Sequence, residues 1–175
     1  MSKFLDNHGN YNVRIPSVKY LSTSGDGTGI TNAVGDYATT PTTFYYGPAM
    51  GTVYVAEKLI WHISDKGQFE LDGFGNISGG LANGVEIEFW RLGQLVLKIT
   101  NGEPVMDNAG MSHLNTDYRK ITYANSYESA SVSIDNTSFG GPLYMIGDLQ
   151  DQIRVPLTDD FTGLQYQHFI LYGVA

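Results

Sequence analysis

The chain has 175 residues, 42% of them apolar and 13% aromatic, enough to bury one hydrophobic core and too many for a disordered chain. A net charge of −8 with ten scattered basic residues argues against nucleic acid as the main partner, because that binding neutralises phosphates with Lys and Arg. The lack of cysteine excludes disulfides and thiol chemistry, and 21 glycines favour short strands and tight turns over a helical bundle.

The opening residues, Met1 to His8, show no apolar run of the kind a secretory signal carries. No segment approaches the ~20 apolar residues that cross a bilayer. The expectation is a chain that folds in the cytoplasm where it is made and contacts no membrane. Residues 1–24 read as an extended N-terminal arm. Val13, Ile15 and Val18 alternate there, but Pro16 cannot donate to a ladder, so this piece is at best an edge strand. Gly25-Asp26-Gly27-Thr28-Gly29 follows as a flexible turn. It lacks the Gly-Lys-Ser/Thr ending of a phosphate cradle.

From Asp36 to Pro48 the chain is dense in Thr, Phe and Tyr and reads as a strand. The clearest strand is Thr52 to Ile63. Val53, Val55, Leu59, Trp61 and Ile63 fall on one side with period two, and Glu57 interrupts that side. Val85 to Trp90 alternates cleanly, with Val85, Ile87 and Phe89 inward and Glu86 and Glu88 outward. Gly93 turns the chain, and Leu95, Leu97 and Ile99 continue the pattern to the hairpin dipeptide Asn101-Gly102. Residues 103–117 read as a long loop or short helix. Further strands are expected at Arg119–Ala124, Ala130–Ile134, Leu143–Ile146, Ile153–Leu157 and Tyr166–Tyr172. The sum is an all-β chain, with one β-sandwich or jelly-roll-like domain over residues 25–175 behind the arm.

The residues whose chemistry suits a site are few. Glu86 and Glu88 stand two residues apart on one strand face, ~6.6 Å, which overlaps the spacing of inverting glycosidases. They also sit where a solvent face wants charge. Asp148, Asp151, Asp159 and Asp160 are hard oxygen ligands without the alternating calcium-loop pattern, and two adjacent aspartates before Phe161-Thr162-Gly163 cap a turn more often than they hold an ion. Asp107-Asn108-Ala109-Gly110 is similar. His8, His62, His113 and His168 form no short ligand pair, and no Gly-x-Ser-x-Gly elbow is present. No catalytic, metal or cofactor residue is therefore assigned, no cofactor is expected, and the chain is not expected to be an enzyme. The surplus lies in aromatics: Tyr45, Tyr46, Tyr54, Trp61, Trp90, Tyr118, Tyr123, Tyr127, Tyr144, Tyr166 and Tyr172. Such residues either half-bury along strands or mark a surface for a protein or a sugar.

One resemblance extends from about residue 40 to the end. Thr40-Pro41-Thr42-Thr43-Phe44-Tyr45-Tyr46-Gly47-Pro48, Leu59-Ile60-Trp61-His62-Ile63-Ser64-Asp65, Leu81-Ala82-Asn83-Gly84-Val85 and Arg154-Val155-Pro156-Leu157-Thr158-Asp159-Asp160-Phe161-Thr162-Gly163-Leu164 follow one another in an order that resembles small virion proteins of tailed bacteriophages. The resemblance implies a jelly-roll-like particle component present in symmetric copies, a homotrimer or another homo-oligomer. Its expected place is the virion, and its expected partner is the major capsid protein or another virion protein. A capsid decoration (cement) role comes first. A neck or tail adaptor, or a carbohydrate- or receptor-binding module, is the alternative.

Overall fold

The computed structural model describes residues 3–5, 11–13, 15–65, 82–83, 86–100, 116–123, 127–135 and 142–175, with side chains described at 15–62, 82–83, 86–98 and 142–175. Its strands are β1 (Lys3–Leu5), β2 (Tyr11–Val13), β3 (Pro16–Tyr20), β4 (Thr42–Tyr46), β5 (Val53–Asp65), β6 (Glu86–Arg91), β7 (Gln94–Thr100), β8 (Thr116–Tyr123), β9 (Tyr127–Asp135), β10 (Leu143–Ile146), β11 (Gln152–Leu157) and β12 (Leu164–Val174). A 3-10 turn, Gly147–Leu149, links β10 to β11. Among the described residues there is no α-helix. The all-β expectation holds.

β5 organises the larger sheet because it is long, β-branched and aromatic, and both its edges are taken. β12 runs along one edge from Val55 to Asp65. The other edge is shared: β10 pairs with Val53–Ala56 and β9 with Lys58–Ser64. With β3 outside β12 and β8 outside β9, the sheet has six strands. The smaller sheet runs β4-β11-β6-β7, and β1 and β2 form a separate hairpin. Among the described strands every pairing is antiparallel.

Without the two hairpins β1–β2 and β8–β9, the remaining eight strands run first-eighth-third-sixth in one sheet and second-seventh-fourth-fifth in the other. That order is the jelly roll. The β8–β9 hairpin is an insertion that occupies the stretch of β5 left bare by the short β10.

The two sheets close on one apolar cluster. Tyr54, Leu59, Trp61, Met145, Phe169 and Leu171 enter it from the larger sheet, and Phe44, Tyr46, Ile87, Phe89, Ile153, Val155 and Leu157 from the smaller. Aromatic rings meet across the gap, Tyr46 on Tyr54 at 5.3 Å and Phe44 on Phe169 at 6.3 Å between centroids. Such edge and tilted pairs add to the area that they bury. Val85 to Trp90 folds as its alternation predicts, with Ile87 and Phe89 buried and Glu86 and Glu88 outside; Val85 itself lies outside the described residues.

The Thr52–Ile63 reading needs a correction. Glu57 is not a polar residue on the apolar side; it is the extra residue of a bulge, since Tyr172 pairs with Lys58 and Gly173 with Ala56. A bulge shifts the phase of every following residue. Tyr54 and Ala56 therefore point inward before it, Leu59 and Trp61 after it, and Val53 is at the surface. Gly173 makes the site possible: a Cβ there would stand 2.1 Å from the Val55 carbonyl and 2.9 Å from the Tyr54 ring.

Residues 16–20, set with the arm on sequence, form the edge strand of the larger sheet. Leu21 and Ser22 are buried, and Ser22 bridges to Tyr45 of β4, carrying the chain from one sheet to the other. The Gly25–Gly29 stretch is pinned rather than loose. The Gly25 N–H donates to Ser22 Oγ, and the Gly25 carbonyl accepts the Gly47 N–H. Its φ of 71° and a Tyr45 ring 1.9 Å from any added Cβ both require glycine.

Candidate functional site

Three regions collect side chains that the core does not use. The first is the outer face of the smaller sheet. In register, Tyr45, Arg154, Glu88 and Lys98 stand in one row across β4, β11, β6 and β7, and Gln152 and Trp90 pair beside it. The Trp90 indole donates to Glu88 Oε2 at 2.7 Å. The Arg154 guanidinium lies 4.3 Å from the Trp90 ring centre, its Nε held by Gln152 Oε1 at 2.8 Å. Lys98 Nζ sits 2.6 Å from Glu86 Oε2, which raises the lysine pKa, the hydrogen bond being the largest cause.

Glu86 and Glu88 thus share a face as expected, but each has a donor of its own and both are only half-buried. A general acid uses a desolvated pocket, which this arrangement lacks. Trp90 brings the planar polar groups of a sugar site together, yet Arg154 already covers its ring. Trp61, the other tryptophan, is in the core.

The second region is one end of the sandwich, where three turns are tied together. The Asp151 carboxylate is fully buried and takes Arg91 Nε at 2.8 Å and Arg91 Nη2 at 2.7 Å, so the pair is bidentate, and it also accepts the Ile146 N–H at 2.8 Å. Leu92 N–H bonds the Leu149 carbonyl, Gly147 N–H the Thr52 carbonyl, and Gly51 N–H the Asp148 carboxylate. These bonds fix the turns at 49–52, 91–94 and 147–150 against one another. What they present is apolar: Met50 is 83% exposed and Leu92 61%. Leu92 also has φ of 50°, a left-handed conformation that costs a non-glycine residue about 1–2 kcal/mol. With Gly93 it forms the two-residue turn of the β6–β7 hairpin, a place that suits Asn, Asp or Gly.

The third region is the outer face of the larger sheet, which is continuous with that end. Val53 and Tyr144 are about half exposed, and Val18 and Tyr172 stand opposite each other on β3 and β12. Ile60 and Ile170 pair in the next row, and His62 pairs with His168 in the row beyond.

The remaining sequence candidates are accounted for locally. Asp160 accepts both the N–H and the hydroxyl of Thr162, which is the turn cap expected for it, and these bonds lower its pKa. Asp159 is buried and accepts the N–H groups of Ala82 and Asn83 together with the Asn83 side-chain amide. Asp26 and Asp36 each hold a threonine in the same way as Asp160. The aspartates thus serve as turn pins. Among the described residues no group of three His, Cys, Asp or Glu side chains is placed to hold a metal. His8, His113 and the Asp107–Gly110 stretch lie outside the described residues, as do the side chains of Tyr118, Tyr123 and Tyr127. Tyr46 and Tyr54 are core residues, Tyr45 and Tyr166 are half-buried, and Tyr144 and Tyr172 are at the surface.

Sequence reasoning missed the role of two polar residues: it passed over Gln167, and it weighed Asp151 only as an oxygen ligand for an ion. Gln167 is wholly buried, accepts the Trp61 indole N–H at 3.0 Å and donates to the Ala33 carbonyl. Asp151 stands in a run of unremarkable polar residues. Arg91 lies 60 positions from Asp151, and Trp61 and Ala33 lie 106 and 134 from Gln167, so no local pattern announces these pairs. Compared with protein-family models, curated proteins and solved structures, the chain matches none.

Proposed function

We propose that the chain is a structural protein of a tailed-bacteriophage virion, a decoration protein that docks on the capsid shell in symmetric copies and links its subunits. The observation that carries this reading is the pinned end with Met50 and Leu92 outward, continuous with the apolar outer face of the larger sheet. Apolar side chains held rigidly in water are costly for an isolated chain and useful at a protein interface, where pre-ordering reduces the entropy lost on docking. Leu92 adds a specific clue: a strained turn position holds a large apolar residue in place of one that would relieve the strain. The jelly roll agrees, since viral shell proteins use it, although lectin domains do too.

The test is the double variant Met50→Ser/Leu92→Asn. Asn suits the left-handed turn, so the fold is retained and the hairpin gains stability. Co-sedimentation with shells of the same virion should weaken at least tenfold, while light scattering still reports an intact protein. Undiminished shell binding overturns the assignment of this end as the contact. A wild-type chain that ignores shells but joins a ring of portal or tail subunits moves the reading to an adaptor. A Trp90 fluorescence change on adding glycan moves it to a sugar-binding module.

A further inference from the structure

A cavity of ≈ 440 Å³ borders the 49–52 turn, walled by β3, the loop at Gly25 and Asp26, the end of β4 and the start of β5. Small-molecule sites commonly occupy about 300–1,000 Å³. One wall is apolar, made by Ala49, Val53 and Tyr54. The other carries two hydrogen-bond donors that the fold does not use.

The first donor is the Tyr46 hydroxyl. Tyr46 faces inward from β4 and is only 4% exposed. The tyrosines near it are bonded: the Tyr45 hydroxyl donates to the Ser24 carbonyl at 3.1 Å, and the Tyr54 hydroxyl lies 2.9 Å from the Ser17 carbonyl. Among the described residues the Tyr46 hydroxyl makes no hydrogen bond. Burial pushes its pKa up, so at neutral pH it is a protonated donor. A buried donor is costly to leave without an acceptor, and it calls for one in the cavity that it lines.

The second donor is Lys19. It pairs with Leu171, whose side chain is buried, so the lysine lies on the inner side of the edge strand β3. Its ammonium stands 5.8 Å from the Tyr46 ring centre and, among the described residues, forms no ion pair. Gly27 lets the loop close over both side chains, since a Cβ there would come 2.6 Å from the Tyr46 ring and 2.9 Å from Lys19 Cδ. Asp26 also borders the cavity, but it is exposed and its carboxylate is held by the Thr28 N–H and hydroxyl. An inward lysine can serve simply to keep a second strand off an edge. That role requires neither a cavity nor a tyrosine hydroxyl beside it.

We propose that this cavity binds a small organic anion, its carboxylate between the Lys19 ammonium and the Tyr46 hydroxyl and its apolar body against Ala49, Val53 and Tyr54. A charged acceptor satisfies both donors at once, and hydrogen bonds to a charged group are the strong ones. The inference does not depend on shell docking.

Phenylacetate serves as the probe, followed by amide NMR on the full chain. The Gly25, Gly47 and Val53 signals should shift and saturate. Phenylacetamide has the same shape without the charge and should bind about tenfold more weakly. Tyr46→Phe and Lys19→Met should each weaken phenylacetate binding by about tenfold as well. Without the probe, Tyr46→Phe should unfold at the same denaturant concentration as the wild type or at a higher one, because it removes a donor that the fold leaves without an acceptor. A hydroxyl with only a structural role gives the reverse, a lower midpoint and unchanged binding. No saturable shift with phenylacetate, equal binding of the amide, or undiminished binding to Tyr46→Phe overturns the site. If Lys19→Met does not fold, Tyr46→Phe and the amide decide between them.

Discussion

The two outer faces of this sandwich are built from the same antiparallel pleat and have opposite chemistry. On the smaller sheet, β6 and β11 turn Glu86, Glu88, Trp90, Gln152 and Arg154 outward, and each finds a polar or aromatic partner on its own strand or the next. On the larger sheet the outward residues of β3, β5, β10 and β12 include Val18, Tyr20, Val53, Ile60, Tyr144, Ile170 and Tyr172. An antiparallel sheet needs only one covered face. Water suffices to cover the first outer face, whereas the second exposes more apolar area and is the face to which the proposed docking role assigns a partner. The difference teaches where to look for a partner, and it places Glu86 and Glu88 on the wrong side for that role.

The seam that joins the faces sets the scale for testing this contrast. Asp151→Ala leaves Arg91 without its carboxylate and the Ile146 N–H without its acceptor. Guanidinium unfolding should register a loss of about 3 kcal/mol, since the Ile146 N–H loses its charged acceptor while the Arg91 side chain, 38% exposed, can turn to water. Gln167→Leu comes next. It removes the bonds that the Trp61 indole and the Ala33 carbonyl make to this buried side chain, for about 2 kcal/mol, and Trp61 emission should change with it. On the charged outer face the effects should be small. Arg154→Ala removes an exposed cation–aromatic contact worth about 0.5–1 kcal/mol. Glu86→Gln, which breaks a surface ion pair, should shift the unfolding midpoint least, by under about 1 kcal/mol, and leave shell binding unchanged. If Glu86→Gln or Arg154→Ala abolished binding while Met50→Ser/Leu92→Asn did not, the two faces would have to exchange roles.

Much of the fold was legible because strand alternation is a local signal. Glu86 to Trp90, Leu143 to Ile146 and Ile153 to Leu157 declare their inward faces within a few residues, and the sheets use them so. The phase of β5 was not legible, because a bulge leaves only one polar residue out of step and its enabling glycine is 116 residues away at Gly173. The turn caps divide the same way. Asp160 and Thr162 sit close enough to be read as a pair, whereas Asp159 reaches back to Ala82 and Asn83 across the fold. The apolar end was hidden for a further reason: Met50, Leu92 and Leu149 belong to three separate turns, and only the hydrogen bonds among those turns bring them together.

The strand order has a consequence for how the molecule is made. β11 lies between β4 and β6, and β12 lies between β3 and β5, so the last two strands in sequence occupy interior places in both sheets. While a ribosome is still delivering the preceding residues, β3 and β4 have no ladder to join, and the apolar faces of β5 and β6 stay open to solvent. Closure waits for the final strands, across separations that make the loop entropy large and the step slow. A nascent chain stalled before β11 would display two half-built sheets with bare edges, and at high expression it is this intermediate, rather than the finished sandwich, that chaperones must shield from aggregation.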